Sequence, residues 1–156
     1  MERKYEFTGE KKKYCETTLH RIRAVRDFGN VKKGDLGGFI ESEDNLSHDG
    51  TAWVYGWARV YGDAWVYGNA RIYGNAQIYG NARICGNAQI YGDAWVYENA
   101  RIYDNAQIYG NARICGNAQI YGDAWVCLNA CICDNARIYG DVWIYGNSDI
   151  RQRSDI

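Results

Sequence analysis

From Ala52 to Ile150 the apolar positions of this chain recur in a fixed hexad. Every sixth residue from Ala52 to Ser148 is small: fifteen Ala, then Val142 and Ser148. Two residues after each stands Ile or Val, in seventeen cases of seventeen from Val54 to Ile150, and no insertion breaks the phase. Take Ala100-Arg101-Ile102-Tyr103-Asp104-Asn105. Ala100 and Ile102 share one side, Arg101 and Tyr103 the other, so each hexad predicts a short strand. The next two residues predict a corner. The second of them is Asn eleven times and Asp four times between Asp63 and Asn147, residue types that tolerate the left-handed backbone region. Twelve of the eighteen Gly occupy the first. Gly without Pro points to regular positions needing positive φ, not to a flexible linker. A repeat this strict predicts a solenoid.

Residues 1–50 do not follow the hexad. They hold ten acidic residues, ten basic ones and all three Phe. Residues 4–8 and 18–28 are expected as strands, with residues 9–15 as the hairpin connection. Gly34-Asp35-Leu36-Gly37-Gly38 is expected to be turn-rich. The organisation that follows is a small N-terminal β-rich cap over residues 1–50 and a hexad array over residues 51–156. Solenoid ends are atypical because they seal an otherwise open stack.

The order aliphatic, any, any, Asn, small, any, as in the GNARIYGNAQIYGNARICGNAQIYG run of residues 68–92, resembles the hexapeptide repeat of left-handed parallel β-helices. The resemblance implies an all-β triangular solenoid in which three hexads make a coil of about eighteen residues. One departure is plain. The residue after the aliphatic, often Gly in that family, is Tyr twelve times in sixteen here. The lead-in KKGDLGGFIESEDNLS before GTAWVYG also resembles uncharacterised hexad-rich prophage proteins. That likeness implies phage or prophage origin and names no mechanism. With eighteen residues per coil, outward residues stack in ladders: Tyr55, Tyr73, Tyr91, Tyr109, Cys127, Tyr145; then Tyr61, Tyr79, Tyr97, Cys115, Cys133; then Tyr67, Cys85, Tyr103, Tyr121, Tyr139. Such ladders stiffen adjacent strands or offer a flat aromatic face to a partner.

Charge narrows the function classes. With 18 basic and 19 acidic residues the net charge is −1, which gives no global attraction to nucleic acid or anionic membrane and none of the acidity of a DNA mimic. There is no long apolar run and no apolar core to an N-terminal leader, so a cytoplasmic protein is expected, in the host cytoplasm if phage-encoded. The six Cys are then expected to be mostly reduced thiols. Ice binding would want ranked Thr, and the array has only Thr51.

Candidate chemistry is sparse. The best-known hexapeptide-repeat proteins are acyltransferases, whose activity rests on a catalytic His and on loops inserted between coils. This chain has two His, His20 and His48, both before the array and both read as surface residues, and no loop interrupts the coils. Two His also fall short of the three that hold the catalytic zinc of hexapeptide-fold carbonic anhydrases. No catalytic residue and no cofactor are assigned. A weak metal cluster, Cys115, Cys131, Cys133 and Asp149, stands against simple replacement of Tyr or Arg at ladder positions, and no metal is expected. The remaining candidate is a binding row. Arg83, Arg101 and Arg137 share one ladder phase with Trp65 and Gln119, flanked by Tyr103, Tyr121 and Tyr139. Arg among aromatics suits phosphate contact and base stacking.

The reading is therefore a non-catalytic scaffold or interaction solenoid that presents rigid faces to a protein partner, such as a host defence factor, or to itself. The rivals are an acyltransferase-like enzyme and a nucleotide or nucleic-acid binder. Ile156 continues the aliphatic phase, and an uncovered last coil would leave an unpaired edge. A homo-oligomer is expected, a dimer through the C-terminal coils, with a laterally packed trimer as the rival.

Overall fold

A computed structural model describes residues 2–151. It is all-β apart from one 3-10 turn, Glu43–Asn45, and forms a parallel β-solenoid of about six turns with about 18 residues per turn. No helix among the described residues is long and apolar enough to cross a membrane.

Each hexad yields a two-residue strand, seventeen in all, from Trp53–Val54 to Asp149–Ile150. Strands one coil apart pair in parallel, as Arg101 with Gln119 and Ile102 with Ile120. Pairing at a fixed separation sorts the strands into three sheets. The first face carries Arg59, Gln77, Trp95, Arg113, Cys131 and Asp149 outward. The second carries Trp53, Arg71, Gln89, Gln107, Trp125 and Trp143. The third carries Trp65, Arg83, Arg101, Gln119 and Arg137. The aliphatic residues from Val54 to Ile138 and the Ala residues from Ala52 to Ala136 are almost wholly excluded from solvent and form one continuous core. A buried Ile or Val contributes roughly 1.5–3 kcal/mol, and Ala beside it lets the narrow interior close.

The backbone is satisfied mostly between coils, with short-range bonds at the corners such as Ala118 N to Cys115 O at 3.2 Å. Arg101 N donates to Ala118 O at 2.9 Å, Tyr103 N to Ile120 O at 3.0 Å and Asn105 N to Gly122 O at 2.9 Å. At the corners the structure corrects one expectation. Positive φ belongs to the Gly phase alone, and Asn does not adopt it. Where that phase is not Gly, the left-handed residue is Glu98, Asp104, Leu128 or Asp134, with φ of 58–60°. Two of these departures carry a compensation. Glu98 Oε1 accepts from Gly116 N at 3.0 Å and Asp104 Oδ2 from Gly122 N at 3.1 Å, so each carboxylate satisfies a corner N–H of the next coil. Asn serves instead as a ladder: Nδ2 of Asn69 donates to Oδ1 of Asn87, and Asn87 to Asn105, at 3.3 and 3.2 Å. The Tyr ladders form as expected, for example Tyr91 on Tyr109 at 5.0 Å and 8°.

The N-terminal region also differs from expectation. Strand β1 (Tyr5–Tyr14) runs through the segment expected to be a hairpin connection, with an irregularity between Phe7 and Lys11, and reverses at Cys15-Glu16. Strand β2 (Thr17–Ala24) stops four residues short of Phe28, which makes an isolated bridge to Val31. Strand β3 (Leu36–Ile40) occupies part of the expected turn. It pairs antiparallel with β2 and parallel with Arg59–Val60, so the hairpin extends the first face into a nine-stranded sheet. The first coil thus begins before the hexad. Ile40 pairs with Val60 and Leu46 bridges to Val66, both 0% exposed, and the step from Leu46 to Val54 is two residues longer than a hexad. The end is sealed by Trp53 under Phe28 and Tyr5, by Tyr5 Oη donating to Leu46 O at 2.7 Å, and by Asn45 Nδ2 donating to Ala64 O at 2.8 Å.

Candidate binding face

The third face builds a groove from the repeat itself. Trp65, Arg83, Arg101, Gln119 and Arg137 project outward because they sit one residue from a buried aliphatic on a pleated strand. Arg83 and Arg101 are direct cross-strand neighbours and both exposed; Arg137 lies beyond Gln119 and is half-buried. On one side an Asn ladder runs along the corner: Asn81 to Asn99 at 3.3 Å, Asn99 to Asn117 at 3.2 Å, Asn117 to Asn135 at 3.3 Å. On the other side Tyr103, Tyr121 and Tyr139 stack at 4.9 and 5.3 Å. The cavity between the Asn ladder and the Arg row is about 530 Å³, lined by Asp63, Asn81, Arg83, Asn99, Arg101, Asn117 and Gln119.

Arg83, Arg101 and Arg137 form no ion pair among the described residues. Two like charges directly opposite each other on adjacent strands repel, so the Arg83–Arg101 pair is a feature the solenoid does not need for stability. Tyr103 Oη donates to Gln119 Oε1 at 3.2 Å, leaving the amide nitrogen of Gln119 as a donor. Burial, and then the neighbouring Tyr121, push the Tyr103 hydroxyl above its ordinary range, so it remains a donor at neutral pH.

Of the expected binding residues, Arg83 and Arg101 come together in the groove with Gln119. Trp65 does not join them. It stacks on Tyr67 at 3.9 Å and borders a separate hollow with Glu43, Asp44, His48 and Asp49. The Asn ladder is hidden in the sequence behind the turn-forming propensity of Asn. The signal was present: Asn81, Asn99 and Asn117 are the same residue at intervals of 18.

The remaining candidates are corrected or relocated. Cys115 and Cys133 are joined in a disulfide, while Cys15, Cys85, Cys127 and Cys131 are free, so four of the six Cys are the thiols expected. The pairing removes two thiolates from the proposed metal cluster, and Asp149 Oδ1 is taken by Arg151 Nε at 2.8 Å. No set of three metal-binding side chains occurs among the described residues. His48 is not a surface residue: its side chain is 11% exposed. Its ring stacks on Tyr5 at 4.1 Å, Nδ1 accepts from Lys4 N at 3.0 Å and Nε2 donates to Glu43 Oε1 at 2.7 Å. That hydrogen bond, followed by the Arg3 charge, overcomes burial and holds the Glu43 carboxyl below its usual range. His20 is half-buried and stacks on Phe7 at 4.4 Å. Both imidazoles are spent on the N-terminal cover.

The repeat is similar to a known one. Residues 76–88, 88–104, 106–118, 112–127 and 130–146 match the YdcK beta solenoid repeat. The chain is a β-solenoid repeat protein. No curated protein matches the sequence.

Proposed function

We propose that this chain is a non-catalytic binding solenoid whose third face receives an acidic segment of a partner protein. The observation that carries the reading is the Arg83–Arg101 pair on adjacent strands, without an ion-pair partner among the described residues and lining one groove with Asn81, Asn99 and Asn117. Two guanidinium groups on neighbouring strands, about 4.8 Å apart, can each take a carboxylate in a charge-assisted hydrogen bond. The Asn amides and the Gln119 amide add hydrogen bonds along the same axis. The rigid core supports this use, because the backbone that carries these side chains needs no further ordering on binding. Asp63 in the groove lining interrupts the broadly basic surface that a nucleic-acid track calls for.

The test uses a fluorescein-labelled glutamate-rich peptide and, in parallel, a single-stranded oligonucleotide of equal charge, followed by anisotropy. The peptide is expected to bind wild type at low ionic strength, and the Arg83→Ala/Arg101→Ala/Arg137→Ala variant to lose at least ten-fold in affinity with an unchanged circular dichroism spectrum. Equal affinity of both proteins for the peptide, or preference for the oligonucleotide, defeats the reading.

A further inference from the structure

Three sulfurs meet on the first face near the last described coil. The Cys115–Cys133 disulfide joins successive coils, and both residues are buried, at 7% and 4% exposure. The free thiol of Cys131 lies 3.4 Å from the sulfur of Cys133, two residues further along the chain. Cys131 is half-buried, therefore reachable from solvent. Its cross-strand neighbours are Arg113 on one side and Asp149 on the other, and Asp149 is held by Arg151. A free thiol in contact with a disulfide sulfur is close enough to act as the attacking sulfur of thiol–disulfide exchange.

We propose that Cys131, Cys133 and Cys115 form an intramolecular thiol–disulfide exchange site, with Cys131 as the attacking sulfur. The step balances within the chain. Deprotonated Cys131 donates an electron pair to Cys133 Sγ; the Cys131–Cys133 bond forms and the Cys133–Cys115 bond breaks. Cys115 leaves as the thiolate and takes up a proton in place of the one Cys131 gave up. One disulfide and one thiol stand on each side, so no external oxidant or reductant enters.

The exchange changes what the bond does. Cys115–Cys133 ties two coils together across a separation of 18 residues. Cys131–Cys133 lies within one coil and leaves the junction to backbone hydrogen bonds such as Cys115 N to Ile132 O at 2.9 Å. It also returns a free thiol to the ladder beside Tyr97. The site is a clasp between two neighbouring coils, opened by exchange, and a small-molecule dithiol or monothiol would reduce the solvent-reachable form first.

The experiment equilibrates oxidised protein in a glutathione/glutathione disulfide buffer at pH 8, quenches with acid and alkylates in denaturant. Cleavage before Asp then puts Cys115 on residues 104–122 and both Cys131 and Cys133 on residues 123–133, where mass spectrometry distinguishes the two isomers. Wild type is expected to show the internal Cys131–Cys133 link together with alkylated Cys115. In Cys131→Ser and Cys131→Ala the alkylated fraction of Cys115 should fall at least ten-fold, while Cys127→Ser behaves as wild type. Equal alkylation of Cys115 in wild type and in both Cys131 variants overturns the proposal. So does the absence of any Cys115–Cys133 link in the variants.

Discussion

Ile102→Ala tests the solenoid core at its centre. Ile102 is fully buried and stacks between Ile84 and Ile120 on adjacent coils. The substitution removes three carbons, about 2.4 kcal/mol at roughly 0.8 kcal/mol per buried methylene. The interior cannot collapse fully, because the backbones above and below are fixed by inter-coil hydrogen bonds, so a cavity term adds to it. The total belongs to the range of about 2–5 kcal/mol seen for such truncations. With a urea slope of about 1–3 kcal/mol per M, the midpoint by circular dichroism should fall by about 1 M or more. Ile150→Ala supplies the internal control. Ile150 is half-buried and pairs with Ile132 on one side among the described residues, so its loss should be less than half as large. The comparison isolates the nearest-neighbour character of a stacked repeat. Ile102→Ala within about 0.5 kcal/mol of wild type, or equal in cost to Ile150→Ala, would refute the reasoning.

Two further outcomes follow from the corners and the N-terminal cover. Leu128 is 55% exposed with φ 58°, stacked between the corners of Gly110 and Gly146. Relief of left-handed strain, about 1–2 kcal/mol, exceeds the added freedom of Gly in the unfolded chain, about 0.5–1 kcal/mol, so Leu128→Gly should raise the melting temperature by about 2 °C; a lower one in calorimetry counts against this. Lys4 is fully buried, donating to Ala52 O at 2.7 Å, and burial, reinforced by Arg26 and opposed by Asp49, lowers its pKa from 10.5 to about 8. Below pH 8 it is charged in both states and its burial cost is present in full. Between pH 8 and about 10.5 the unfolded chain holds the proton that the folded chain releases, so its contribution to stability rises with pH. Lys4→Met should flatten that rise between pH 8 and 10, and identical slopes in urea titrations of the two proteins would contradict it.

Much of this architecture is legible in the hexad. The small and aliphatic phases name the Ala, Ile and Val residues of the core from Ala52 to Ile138 one by one, because a strict period leaves a single register. Stacking of Cys115 on Cys133 follows from the same period; their oxidation does not, since spacing fixes proximity and not redox state. The first coil escapes the pattern for a physical reason. Ile40 and Leu46 keep the six-residue step, but the two extra residues before Val54 shift the phase, and the segment reads as a separate cap. The role of Asn is not legible because local propensity does not distinguish a residue that bends its own backbone from one that bonds the next coil. His48 is invisible as a buried residue in sequence, since Lys4 and Tyr5, which meet its ring, are remote along the chain, Lys4 by 44 residues.

The three-face geometry makes position along the chain an angular address. A stretch of eighteen residues added anywhere in the array lengthens the prism and leaves each downstream side chain pointing where it did. Six residues, by contrast, turn everything downstream by a third of a revolution. One added hexad between Arg83 and Arg101 would leave the core composition untouched yet carry Arg101 and Arg137 away from the edge where Arg83 stands. The longer step between Leu46 and Val54, sealed under Trp53, is the zero mark from which all these angles are counted. For a protein of near-identical units, what is displayed in one direction is thus set by arithmetic as much as by residue identity, and duplications by whole turns are the changes it can absorb without losing its bearings.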